Sequence, residues 1–148
     1  MAIAEEQMVK VFVELHDALY ETESFWAKPF GSDLYELRNS PWYAFGLHFY
    51  DVVRAVRSKP DEKARIIEVV RPSGHKTLRV VFPLELSEAD RLEMLRSLHQ
   101  WRAFHENCDG RLYAVDVEPE GDYKAVCDQL WAWEQAGRLF YETGITRE

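Results

Sequence analysis

The sequence has little cysteine and no long apolar run, and each absence excludes a class of protein. Its two cysteines, Cys108 and Cys127, are too few for a disulfide framework and lack the spacing of metal ligands, so we expect reduced thiols. No segment approaches the roughly 18 consecutive apolar residues of a membrane span, and the first residues lack the basic and apolar regions of a signal peptide. We therefore expect a cytoplasmic protein that does not associate with membranes.

The sequence also lacks the short motifs that carry catalysis or metal binding. It has no phosphate-binding glycine loop with a lysine, no dinucleotide-binding glycine fingerprint and no Gly-x-Ser-x-Gly turn. His99 and His105 are six residues apart, so on a helix they point in different directions and do not form a zinc site. We therefore predict no catalytic residue, no metal and no cofactor, and we favour a role other than that of an enzyme.

Aromatic residues are what the chain has in surplus. Of its 148 residues, 47% are hydrophobic and 14% are aromatic, beside 30% that are charged, which excludes a disordered chain. A chain of this length buries about two thirds of the surface that its unfolded form exposes. The five Trp and seven Tyr residues therefore belong either to a core or to an interface, where such rings are favoured.

The negative charge is concentrated in the second half of the chain. Through Pro83 there are 11 basic and 12 acidic residues, whereas from Leu84 onward there are 7 and 14, within a total net charge of −8. A negative field repels nucleic acids and attracts basic partners, although it also simply keeps a protein soluble. We therefore predict no nucleic-acid partner, and we consider a basic protein partner.

Residues 1–58 are predicted to form a small β-rich part that resembles a partial barrel. Apolar and other residues alternate over residues 9–15, which is typical of a half-buried strand. Shorter strands are predicted over residues 24–28, 33–38 and 44–55, although the last of these segments also fits a helix.

Residues 59–148 are predicted to form a second part that begins after the polar loop at 59–63. Strands over residues 66–71 and 76–82 flank the sequence Pro-Ser-Gly-His, which is typical of a tight turn, so the pattern predicts a hairpin. Both parts are expected to belong to one compact unit.

Two helices and two further strands are predicted after this hairpin. Ser87 precedes apolar residues at helical spacing, which indicates a helix over residues 88–104. A strand follows over residues 112–117, a second helix starts after Asp122, and a last strand covers residues 140–145. This order of elements predicts an α+β fold whose second part is a ferredoxin-like two-layer sandwich.

A polar cluster around the predicted hairpin is a candidate site for a small molecule. Its arginines could hold a phosphate or a carboxylate, and His48 or His75 could act as a general base that Asp51 orients. The alternative without a binding function is a solvated sheet face with its arginines paired to Asp51 or Glu68. The members of the cluster are His48, Asp51, Arg71, Ser73, His75, Thr77 and Arg79.

Several segments resemble a bacterial family known as domain of unknown function 4265. The segments that carry the resemblance are residues 23–27, Gly31, 35–41, 51–53, 73–79, 115–119 and 130–141. The family usually has Gly before the aspartate, where this chain has Tyr50. The resemblance implies a small bacterial accessory protein, and some families of this kind are thought to be immunity proteins. It implies no catalytic residue.

Three functions are compatible with these observations. The first is a protein-binding module, most concretely an immunity protein that inhibits a cognate bacterial toxin through an acidic surface with aromatic anchors. The second is a small enzyme or a nucleotide- or phosphate-handling protein that uses the polar cluster. The third is a dimeric regulatory domain that senses a ligand at a helix edge. Candidate contacts for the first are Asp116, Glu118, Glu120, Asp122, Trp131 and Trp133.

Overall fold

The computed structural model describes residues 7–16 and 19–144 and has two β-sheets. The first is a closed five-stranded barrel, and the second is a four-stranded sheet that carries two helices. The predicted α+β class is confirmed. Ile145, the predicted end of the last strand, lies outside the described residues.

The barrel is a meander whose first and last strands meet. Neighbouring strands pair in antiparallel fashion, and a parallel pairing of Val11 with Ala64 and of Phe12 with Arg65 closes the ring. Apolar side chains, including Phe25 and Leu37, fill its interior. Its strands are β1 (Val9–Glu14), β2 (Thr22–Gly31), β3 (Leu34–Leu37), β4 (Val52–Val56) and β5 (Ala64–Arg71).

The predicted strand at 44–55 is wrong for its first eight residues, because β4 begins only at Val52. Residues 38–51, which we call the crossing segment, have no regular structure. Ala44 and Leu47 point into the barrel core, whereas Phe45 contacts the second sheet. Ala44 and Leu47 are three residues apart, so their shared contact with one core does not follow the two-residue alternation of a strand.

The second sheet contains strands in the order β7-β8-β6-β9, all antiparallel to their neighbours. Both helices pack on one face of it, over a core that includes Leu78, Val80, Leu95 and Leu130. In the described part of the chain, no helix is long and apolar enough to span a membrane. The elements are β6 (Lys76–Val81), α1 (Glu88–Ser97), β7 (Ala103–Asn107), β8 (Leu112–Val117), α2 (Tyr123–Gln135) and β9 (Phe140–Thr143).

The predicted hairpin between residues 66–71 and 76–82 is wrong. Strand β5 pairs with β4 and β1 in the barrel, whereas β6 pairs with β8 and β9 in the second sheet. Residues 72–75 therefore connect the two sheets. The chain passes from the barrel to the second sheet here, and not at the loop 59–63, which joins β4 to β5. The turn is held from outside, because the backbone N–H of Ser73 donates to the carboxylate of Asp51 at 2.8 Å.

The first predicted helix is too long. Helix α1 ends at Ser97, and a 3₁₀ turn follows over Leu98–Trp101. Arg102 then has a left-handed backbone with φ of 59°, which reverses the chain into β7. The predicted helix starts are confirmed, because Ser87 accepts the N–H of Asp90 in α1 and an equivalent cap begins α2.

Candidate functional site

The candidate site lies on the face of the second sheet that points away from the helices. Because Leu78 and Val80 of β6 face the helices, the alternation of side chains along the strand directs Thr77, Arg79 and Val81 to the opposite face. The crossing segment lies against part of this face, and the amide of Gly46 donates to the carbonyl of Gly144 in the chain after β9 at 2.9 Å. Beside it, Val81 and Phe140 are exposed.

A buried glutamate in the barrel holds the crossing segment in place. The carboxylate of Glu23, a residue of β2, accepts the backbone N–H groups of Trp42, Tyr43 and Ala44 at 2.6, 3.1 and 2.8 Å. Glu23 is only 6% exposed, so water does not take the place of these bonds. The position of residues 42–44 therefore depends on one side chain from the barrel.

A pocket of about 280 Å³, which we call the aromatic pocket, opens between the crossing segment and the sheet. Phe140 is 67% exposed, which places it at the rim. The pocket is lined by Trp42, Tyr43, Arg79, Val81, Leu112, Phe140, Tyr141 and Glu142. Concave sites with mostly apolar walls and few polar groups are typical of small-molecule binding.

Arg79 supplies a positive charge inside this apolar wall. The residue is 3% exposed, and its guanidinium lies 4.5 Å from the centre of the Phe45 ring. A guanidinium nitrogen also donates to the Glu142 carboxylate at 3.2 Å. The side chain of Glu142 is 55% exposed, so the pair joins a buried cation to an anion at the mouth of the pocket.

Two tyrosines of the aromatic pocket keep their hydroxyl protons. Burial, together with the hydrogen bond that joins its hydroxyl to the Cys108 thiol at 3.6 Å, raises the pKa of Tyr43 above its ordinary value. Burial also raises the pKa of Tyr141. The charge of the pocket therefore comes from Arg79 and Glu142.

A hydrogen-bonded network continues from the pocket along the sheet. Nδ1 of His48 lies 2.8 Å from the Thr77 hydroxyl, and burial lowers the pKa of His48, so this imidazole is neutral near pH 7. The carboxylate of Asp51 accepts the backbone N–H groups of His48 and Ser73 at 2.9 and 2.8 Å. Asp51 therefore orients the backbone of two segments. It was predicted to orient an imidazole, but its carboxylate accepts these backbone N–H groups instead.

The carboxylate that lies against an imidazole is that of Asp116, and not that of Asp51 as predicted. Nδ1 of His75 lies 2.8 and 3.1 Å from the two carboxylate oxygens of Asp116. Asp116 is 8% exposed, and burial raises its pKa to about 6, against the opposing effect of His75. The His75 ring also stacks on Phe49, with 5.9 Å between the ring centres. This pair is a buried acid and base at the far end of the network from the pocket.

The structure brings together most of the predicted polar cluster. Arg79 lines the aromatic pocket, and Arg71 lies elsewhere, on the outside of the barrel with its guanidinium 5.0 Å from the centre of the Phe30 ring. The members that join the network are His48, Asp51, Ser73, His75 and Thr77.

The candidate protein-binding residues differ in their exposure and in their contacts within the chain. Asp116 is buried, as described above, and Asp122 caps the first turn of α2 by accepting the N–H of Ala125 at 3.0 Å. Glu118 lies 2.5 Å from a guanidinium nitrogen of a neighbouring arginine, and Trp133 packs against the core under the helices. Glu120 and Trp131 are exposed.

Apart from Arg79, sequence reasoning missed the residues that build the pocket. Trp42 and Tyr43 lie in a segment that was predicted as loop and strand, and Glu142 lies in a strand with no motif. Glu23 did carry a signal, because it continues the inward-facing alternation of Phe25 in β2. A charged residue at an inward-facing strand position indicates a buried polar contact.

The described residues offer no metal site. Within 7–16 and 19–144, no three side chains of His, Cys, Asp or Glu come together in a way that could hold a metal ion.

Comparisons with known proteins agree with this geometry at the level of the fold. A crystal structure of a hypothetical protein from Neisseria gonorrhoeae is similar to this chain, with a TM-score of 0.80 and 16% identity over 95% of this chain and 96% of that chain. No protein of curated function matches the chain. The model of a domain of unknown function, DUF4265, matches residues 23–141. The chain therefore belongs to the DUF4265 family.

Proposed function

We propose that this protein binds a small organic ligand with an anionic group in the aromatic pocket. One observation carries the proposal: Arg79, a nearly fully buried cation, lies in the wall of a mostly apolar concave site. A pocket with a few polar groups among aromatic walls is the usual form of a ligand site.

The chemistry of the pocket favours a carboxylate or a phosphate attached to an apolar group. The guanidinium of Arg79 is a planar fork of N–H donors that matches such oxygens. The rings of Trp42 and Phe140 offer apolar contact to the rest of the ligand. Glu142 is mostly exposed, so its side chain can swing toward solvent and leave room in front of the guanidinium.

The size of the pocket sets a limit on the ligand. A volume of about 280 Å³ lies at the lower edge of the range in which drug-sized molecules bind. A compact metabolite with one ring or one branched chain fits this volume better than a dinucleotide does.

We further infer that the second sheet and its helices form a ferredoxin-like unit, which supports a ligand-sensing role. The order strand-helix-strand-strand-helix-strand and the antiparallel sheet β7-β8-β6-β9 favour this assignment. The proposed ligand lies on the sheet face away from the helices, and not at the helix edge that the sequence suggested.

The proposal is tested by titrating the protein with small carboxylates and phosphates and following its amide NMR signals. Benzoate, phenylacetate, 4-methylpentanoate and phenyl phosphate are suitable probes. We expect signals of the pocket residues to shift, and we expect Arg79→Met to weaken binding at least tenfold. Arg79→Met leaves Glu142 without this partner, but the Glu142 side chain is 55% exposed and can be hydrated, so we expect the fold to be kept, and circular dichroism checks it.

The matched control is Arg71→Met, which removes an exposed arginine that also lies on a phenylalanine ring. We expect it to leave binding unchanged. If none of the probes shifts pocket signals, or if both arginine variants bind equally well, the proposal is overturned.

An immunity protein that binds a bacterial toxin is the second candidate. It is favoured by the exposure of Trp131, at 56%, on α2, whose N-terminus carries the exposed Glu120 and Asp122. An exposed tryptophan can anchor a partner, and acidic groups at the start of the same helix attract a basic one. Affinity capture from the native bacterium tests it, with Trp131→Ala as the comparison. Recovery of the same proteins with both baits would count against it.

A further inference from the structure

We infer that the ligand of the aromatic pocket is a zwitterion of the α-amino acid type, with an apolar side chain. This inference rests on the proposed function, because it names the ligand class for the same pocket. It begins from the fact that the charged lining consists of one cation and one anion, Arg79 and Glu142.

The two charges are placed side by side by the strand register. Arg79 of β6 is paired with Glu142 of β9, so both side chains project from the same face of the sheet. Their polar atoms are 3.2 Å apart. The pocket therefore presents a pair of opposite charges side by side, at a spacing close to the separation of the ammonium and carboxylate groups of an amino acid.

A ligand with only a carboxylate meets a penalty at this site. To admit it, Glu142 must either swing into solvent and lose its ion pair with Arg79, or stay in place and repel the carboxylate of the ligand. A ligand that also carries an ammonium group replaces the internal ion pair with two new ones. The pair of charges therefore selects a zwitterion over a simple acid.

The remaining walls define the side chain of the ligand. They are formed by Trp42, Tyr43, Val81, Leu112, Phe140 and Tyr141, which are aromatic or aliphatic. Burial of an apolar side chain here is favourable, whereas a charged side chain would meet no partner among these six residues. The tryptophan and tyrosine faces also attract an ammonium group. A leucine-like or phenylalanine-like amino acid is the class that fits.

The test uses two sets of three probes that differ by one group. The first set is L-phenylalanine, 3-phenylpropanoate and 2-phenylethylamine, and the second is L-leucine, 4-methylpentanoate and 3-methylbutylamine. Isothermal titration calorimetry measures the dissociation constant of each. We expect an amino acid to bind at least tenfold more tightly than the acid and the amine of its set.

A variant of the anion gives the decisive comparison. Glu142→Gln removes the charge at a mostly exposed position, so the fold is retained. We expect it to weaken amino acid binding at least tenfold while the simple acid binds as well as before or better. The matched control is Glu68→Gln, which removes an exposed carboxylate that pairs with Arg54 on the barrel, and we expect no change from it.

The possible outcomes separate this inference from the function on which it rests. If the simple acid binds as tightly as the amino acid, or if Glu142→Gln leaves the preference unchanged, the zwitterion is excluded while the anion site stands. If neither the amino acids nor any carboxylate binds the pocket, both ideas fail.

Discussion

Tyr50 has a backbone conformation that suits glycine better than tyrosine. Its φ is 69°, in the left-handed region, where a Cβ atom is unfavourable. The family resemblance also points to Gly at this position. The turn is nevertheless formed here. The N–H of Tyr50 donates to the Leu37 carbonyl at 2.9 Å, and the N–H of Asp51 donates to the His48 carbonyl at 3.1 Å.

Tyr50→Gly is expected to be more stable than Tyr50→Ala by about 1 kcal/mol. Both variants remove the ring and its contacts with His75, so the difference isolates the cost of a Cβ atom in the left-handed region. Urea unfolding of the two variants measures it. Equal free energies of unfolding would show that the turn relaxes to another conformation.

Asp116 makes stability depend on pH in a direction opposite to that of most carboxylates. In the folded protein its pKa is raised by burial to about 6, above its ordinary value of 3.8. Between about pH 4 and pH 6 the folded chain therefore holds a proton that the unfolded chain has released. The contribution of this group is fully present below that window and is lost as the pH rises through it.

We expect the free energy of unfolding of the wild type, relative to Asp116→Asn, to fall by about 2 kcal/mol from pH 4 to pH 7. Because the asparagine cannot ionise, subtracting the variant removes the contribution of the other carboxylates. Chemical denaturation at several pH values gives the difference, and an NMR titration of the Asp116 carboxyl carbon gives the pKa directly. A difference that stays constant with pH would contradict the argument.

At the scale of single residues, the sequence predicted which side chains are polar neighbours along one strand but not their partners on another. The alternate residues Thr77 and Arg79 share a face because side chains alternate along a strand. That His75 would meet Asp116 depends on the register that pairs β6 with β8, and this contact spans about forty residues of chain. No local pattern encodes a pairing at that separation.

The crossing segment is the element most exposed to a single substitution. Glu23→Ala leaves three N–H groups without this acceptor, one of them buried and two partly buried, and an unsatisfied buried group costs about 1–3 kcal/mol. We expect a loss of at least about 3 kcal/mol in the free energy of unfolding, together with loss of ligand binding in the aromatic pocket.

Glu21→Ala is the matched control for this prediction. Glu21 precedes β2, and its side chain is exposed. We expect a change within about 0.5 kcal/mol, as for most surface substitutions. Similar losses for Glu21→Ala and Glu23→Ala would mean that the carboxylate does not hold the crossing segment.

The start of α2 separates a structural role from a binding role. Asp122→Ala removes the side chain that caps the helix and is expected to cost about 1 kcal/mol of stability. Glu120→Ala, in the exposed turn just before it, is expected to have almost no effect. Thermal unfolding of both variants compares them. An equal loss in the two would show that a general electrostatic effect, and not the cap, is responsible.

At the scale of elements, local chemistry predicted where elements begin better than where they pair. The helix starts at Ser87 and Asp122 could be predicted from the sequence, because the residues that form an N-cap lie within four positions of one another. The end of α1 was not, because Leu98 and Trp101 continue the helical spacing into the 3₁₀ turn. The turn at 72–75 was recognised as a turn, but turn residues do not reveal whether the flanking strands join one sheet or two.

The two sheets are joined by partly buried hydrogen bonds and should unfold together. The carboxylate of Glu106 in β7 accepts the N–H of Ser40 at 2.8 Å, and its carbonyl accepts the indole N–H of Trp42 at 3.3 Å. Burial raises the pKa of Glu106, while these contacts with Ser40 oppose that rise. The crossing segment thus anchors the barrel to the sheet along several residues.

Ile66→Val in the barrel core tests this coupling. The substitution costs about 1 kcal/mol and should lower the midpoint of thermal unfolding by about 2–4 °C. The helices of the described chain lie with the second sheet, so circular dichroism at 222 nm reports on that sheet. We expect the helical signal to shift by the full amount. An unchanged helical transition would establish that the two sheets unfold independently.

The parallel contact between β1 and β5 has a consequence for synthesis of the chain. Strand β1 leaves the ribosome first, but its closing partner follows about fifty residues later, and β6, which is central in the other sheet, precedes both β8 and β9. Ring closure and sheet assembly both depend on contacts between distant segments, which makes folding slow compared with that of helical bundles. The nascent chain therefore carries unpaired edges on β6 until β8 and β9 have been made, and such edges are prone to pair with other chains.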